Sequence, residues 1–137
     1  MDIEHIEAER AARKEALANA KAEQFAADLA ALNDLEVEHG DENVARVGVG
    51  RYSLGLPTLV VVRPLSKPEL KRFRDRVRGE NADAASAADE AGASAMLYPT
   101  KDSELYAALI AAAPGVLTRA GTAAVQLAAG MAASEGK

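Results

Sequence analysis

Cysteine is absent from this 137-residue chain, and so is tryptophan. Without cysteine there is no disulfide framework, no thiol nucleophile and no thiolate metal site. Aromatic residues make up 4% of the chain and it has only 5 prolines, so large rings contribute little to packing. No apolar run reaches the roughly 20 residues that span a bilayer. The first residues, MDIEHIEAER, lack the basic-then-apolar order of a secretory signal. The expected location is therefore the cytoplasm.

Alanine supplies much of the apolar content, with 32 of the 137 residues. Leu, Ile, Val and Phe together number 29, close to the level at which a chain struggles to bury enough surface to fold. A thin core follows, with stability to gain from a partner or from self-association. The net charge is −5, but it is sorted along the chain. Residues 1–43 carry 12 acids and 4 bases, residues 44–79 carry 2 acids and 9 bases, and residues 80–137 carry 7 acids and 3 bases. An acidic arm and a basic middle can pair within one chain or between copies.

The expected organisation is an acidic helical arm and loop over 1–43, a β-hairpin plus helical domain over 44–131, and a frayed tail over 132–137. Residues 4–34 are rich in strong helix formers and precede the first breaker, Gly40. Phe25, Leu29, Leu32 and Leu35 form one stripe, so the carboxy-terminal half of this helix packs and the amino-terminal half projects. Glu36 to Asn43 reads as a polar loop. Val44 to Tyr52 alternates as a half-buried strand, with Ala45, Val47 and Val49 on one side. Thr58 to Arg63 is apolar on both faces, which predicts burial on both or an interface. A hairpin alone is marginal, so it must pack on helices or pair with another chain.

Ser66-Lys67-Pro68-Glu69 matches a capping box, opening a helix to Gly79 with Leu70, Phe73 and Val77 as its stripe. An alanine-rich helix is expected from about Ala82 to Leu97. Another, capped by Asp102, runs over Ser103 to Ala112. A last one opens at Pro114 and ends near Gly130. The fold class is α+β, mainly helical, with a short antiparallel hairpin packed with about five helices.

His5 and His39 are the only histidines, and the acidic run around His39 lacks the spacing of a zinc or calcium site. No serine has an evident base beside it. Gly48 to Gly55 is glycine-rich but lacks the Lys-Ser/Thr of a phosphate loop and leads into a strand. The expectation is a protein that is not an enzyme, with no cofactor and no metal. The basic helix has the charge density for nucleic acid, but its flanking blocks are acidic, so nucleic acid is not the expected partner. Self-association through Lys71, Arg72, Arg74 and Arg76, docked on acidic arms, fits the charge sorting better.

The order of segments resembles the tail assembly chaperones of long-tailed bacteriophages. The resemblance rests on Leu59-Val60-Val61-Val62-Arg63-Pro64, Ser66 to Phe73, Met96-Leu97-Tyr98-Pro99, and Ala113-Pro114-Gly115 with Gly121 and Gly130. It covers residues 44–131, and the acidic arm lies outside it. It implies a protein of the bacterial host's cytoplasm that binds the tape measure protein and helps tail tube subunits assemble around it. A partner would be met by Leu59 and Val61 of the apolar strand and by Leu105, Leu109, Ile110, Val116, Leu117 and Val125 of the helices. The alternative is a structural virion protein, such as a minor tail, neck or head–tail joining component, that oligomerises through the apolar strand.

Overall fold

The computed structural model describes residues 2–79 and 83–135, with side chains up to Gly130. The first helix, α1 (Ile3–His39), is capped by Asp2, whose side chain accepts from the Glu4 amide at 3.3 Å. It runs past the expected end near residue 34, into the segment read as a polar loop. Polarity does not stop a helix. The first residue that can is Gly40, which adopts φ +90° and donates its N–H to the Glu36 carbonyl. A 3-10 turn, Asp41–Asn43, follows, and the Asn43 amide satisfies the His39 carbonyl at 2.8 Å.

The strands are β1 (Ala45–Gly48), β2 (Leu59–Val62) and β3 (Met96–Tyr98), antiparallel in the order β1-β2-β3. β1 is shorter than the expected Val44–Tyr52, because Gly50 at φ +88° turns the chain out of extended geometry. Its alternation holds, with Ala45 and Val47 half-buried and Arg46 and Gly48 exposed. β2 is buried at all four positions. Val60 and Val62 face a core shared with Leu65, Leu70, Leu109 and Val116. Leu59 and Val61 face a second cluster with Leu29, Leu32 and Leu35 of α1. The two-sided apolar strand is thus the central strand of a sheet covered by helices on both faces.

The remaining helices are α2 (Lys67–Arg78), α3 (Ala84–Ala95), α4 (Glu104–Ala112) and α5 (Gly115–Glu135). The expected start of α3 at Ala82 lies outside the described residues. Its expected end at Leu97 is corrected to Ala95. Met96–Tyr98 pairs with β2 instead, where Met96 buries its side chain. Ser103, not Asp102, caps α4, its hydroxyl accepting from the Tyr106 amide at 3.1 Å. Asp102 has φ 69°, outside the extended geometry that a cap requires. α5 continues past Gly130 to Glu135, since one glycine costs a helix only about 1 kcal/mol and good formers follow it. The expected tail over residues 132–137 thus falls on the last turn of α5 and on Gly136 and Lys137, which lie outside the described residues.

α3 and α5 cross at backbone distance. A Cβ on Gly92 would stand 2.1 Å from the Leu117 carbonyl oxygen, and one on Gly121 would stand 1.8 Å from that of Ala88. Ala87, Ala88, Ala91 and Ala95 are buried on one helix and Ala120, Ala124 and Ala128 on the other. The alanine-rich sequence therefore packs by close approach of backbones rather than by large side chains. Among the described residues, no single helix is long and apolar enough to cross a membrane.

Candidate interaction surfaces

Asp28 is fully buried where α1 meets the sheet. One carboxylate oxygen accepts from the Thr58 amide at 2.7 Å and the Thr58 hydroxyl at 2.6 Å. The other accepts from Gln24 at 2.9 Å and from the Tyr98 hydroxyl. A single side chain thus ties α1 to the chain entering β2 and to the end of β3. Burial, with Asp28 beside it, pushes the Tyr98 hydroxyl well above the ordinary tyrosine range, so Tyr98 stays a donor. Around this joint, Leu29, Leu32 and Leu35 complete the contact.

Beyond the joint, α1 leaves the body of the protein. Residues 3–19 are exposed throughout. Ile3 is 71% exposed, Ile6 46% and Leu17 49%. Phe25, expected in the packing stripe, is 43% exposed. It sits three positions before the joint residue Asp28 and so about 60° off the packed face.

At the far end of β2, Glu69 works twice. It completes the capping box, accepting from the Ser66 amide at 2.8 Å while its own amide donates to the Ser66 hydroxyl at 3.3 Å. It also takes a two-pronged ion pair from Arg63 at 2.8 and 3.1 Å. Arg63 goes on to donate to the carbonyls of Pro64 and Ser94 at 3.0 and 2.9 Å. This clamps the end of β2 to α2 and α3. The Arg63 hydrogen bond, helped by Ser66 and opposed by burial, lowers the Glu69 carboxyl from 4.5 to about 2. A depressed carboxyl stabilises the fold above its unfolded value and loses that contribution as the pH falls through its folded value. The contribution is therefore whole at neutral pH and fades between about pH 4.5 and about pH 2. Glu69→Gln should lower the urea midpoint at pH 7, with the gap to the parent narrowing across that window. A gap that is constant with pH would show that the clamp does not act through charge.

The basic residues of α2 divide into two sets. Arg76 pairs with Glu90 of α3 and also donates to Ser86 at 3.1 Å, and Arg72 lies 3.9 Å from Glu90. These two are engaged within the chain. Lys71 and Arg74 instead line a shallow depression with Lys67, Leu70, Asp75 and Arg78.

Of the apolar residues expected to meet a partner, Leu59, Val61, Leu109 and Val116 are core side chains, each 3% exposed or less. Leu105, Ile110, Leu117 and Val125 are half-buried. In this fold the first four hold the domain together, and only the second four reach the surface. Neither Asp28 nor Gly92 is singled out by the sequence reading, which quotes Gly121 for the resemblance but not for its packing role. Their signals were present: an acid spaced four and seven before Leu32 and Leu35, and single glycines inside long alanine-rich helices. No family model, no curated protein and no solved structure matches the chain.

Proposed function

We propose that this protein is a tail assembly chaperone of a long-tailed bacteriophage, acting by non-covalent binding rather than catalysis. It would hold the tape measure protein soluble in the host cytoplasm and promote assembly of tail tube subunits around it. Support comes from the order of segments over residues 44–131, with the apolar strand and Arg63-Pro64, the capped helix from Ser66, the Tyr98-Pro99 boundary and the Pro114 break. The observation that carries most weight for a binding role is the helix that outruns its domain with Ile3, Ile6 and Leu17 exposed. A structural virion component is the second reading. Oligomerisation through β2 would have to displace β1 or β3, which occupy its two edges.

The test is co-expression with the long helical protein encoded nearby, scoring soluble complex against each protein alone. The chaperone reading expects that protein to be soluble only with this chain. Indifference of the partner, together with a defined oligomer of this chain alone, would favour the virion component.

A further inference from the structure

The face by which α1 packs on the sheet does not end where the sheet ends. Gln24, Asp28, Leu32 and Leu35 are the packed positions, at steps of four, four and three. Continued toward the amino terminus by steps of three and four, that face carries Lys21, Leu17, Arg13, Arg10, Ile6 and Ile3. Lys14 and Glu7 flank it on one border, while Glu4, Glu9, Glu15 and Glu23 lie off it. The projecting half of the helix therefore presents three large apolar side chains interleaved with cations on one face. Among the described residues, no carboxylate lies within ion-pair distance of Arg10, Arg13, Lys14 or Lys21.

We propose that the stripe Ile3, Ile6, Arg10, Arg13, Leu17 and Lys21 is a docking surface for an acidic amphipathic helix of a partner protein. The proposal deepens the chaperone reading by naming the surface that would take a long helical partner. Three observations carry it. The stripe is continuous with a face that already packs within the chain. Its apolar residues are spaced for helix-on-helix contact. Its cations call for carboxylates flanking the partner's apolar stripe. The same charges disfavour a second copy of the arm, because two arms laid antiparallel with Ile6 against Leu17 would bring Arg10 against Arg13 twice. The aliphatic stems of the arginines and lysines add apolar cover beside the isoleucines and the leucine.

The test uses the full chain and a fluorescent designed peptide of about four heptads, with Leu at a and d and Glu at e and g. The control peptide carries Lys at e and g. The Glu peptide should bind and the Lys peptide should not, and added salt should weaken the complex. Ile6→Asp with Leu17→Asp, and separately Arg10→Glu with Arg13→Glu, should each weaken binding by about tenfold or more. Glu15→Gln, off the stripe, should leave it unchanged. All these positions are exposed, so the melting of the domain serves as the folding control and should not move. Absence of binding, equal binding of both peptides, indifference to the stripe variants, or preference for anionic lipid vesicles over the Glu peptide would each overturn the proposal. The two readings fail separately. Peptide binding without co-expression rescue counts against the chaperone role alone. Rescue without peptide binding, or rescue that survives the stripe variants, counts against this surface alone.

Discussion

Gly121→Ala is expected to be the most damaging single-methyl addition in this chain. The new Cβ would stand 1.8 Å from the Ala88 carbonyl oxygen and 2.6 Å from its carbon. Both are backbone atoms, so no rotamer change can relieve the clash. α3 and α5 would have to move apart, opening gaps along the buried alanines of both helices. Overpacking usually costs about 1–3 kcal/mol where side chains can yield, and here they cannot. Alanine recovers about 1 kcal/mol of helix propensity, which does not offset the loss. A net loss of about 3 kcal/mol or more is expected, seen as a Tm lower by on the order of 10 °C or as failure to fold. Gly130→Ala is the matched control, because its Cβ would meet nothing within 4 Å. It should be neutral or slightly stabilising. If both variants melt together, the close crossing of α3 and α5 is not what holds these helices.

Asp28→Ala should undo the joint between α1 and the sheet. It removes the acceptor for the Thr58 amide, the Thr58 hydroxyl, Gln24 and the Tyr98 hydroxyl. A buried donor left without a partner costs about 1–3 kcal/mol, and three of these, from Thr58 and Tyr98, belong to the sheet side of the contact. The expected loss is about 3 kcal/mol or more, a large share of the roughly 5–15 kcal/mol that holds a domain together. Asp28→Asn should cost less, since its carbonyl can still accept from Thr58 while its amide faces the Tyr98 oxygen. Urea unfolding orders the variants. Limited trypsin digestion, which can cut at Arg10, Arg13, Lys14 and Lys21, reports whether α1 comes away before the body unfolds. An unchanged urea midpoint for Asp28→Ala would mean that the leucines alone dock α1.

Both effects arise at positions where one residue meets parts of the chain distant in sequence, and such positions were the least legible. The capping box was readable because Ser66 and Glu69 act three residues apart. The second role of Glu69, as partner to Arg63, was not, because it depends on how β2 delivers the chain to α2. Polarity is no stop signal for α1; the stop lies in the backbone freedom of Gly40. Met96 and Leu97 read as the end of a helix because a pattern of so few residues cannot tell helix from strand. The open edge of β2 decides it.

The sequence alone determined what depends on neighbours within a few residues. Helix formers without a breaker dictated a long α1. The two-sided apolar run Leu59–Val62 dictated a strand buried on both faces. The alanine-rich composition of α3 dictated a packing face built of alanines. Only the tertiary structure decided the third strand, the backbone crossing at Gly92 and Gly121, the burial of Asp28 and the point at which α1 leaves the sheet. Each of these depends on which distant segments come together, and that is settled by packing over the whole domain rather than by local preference.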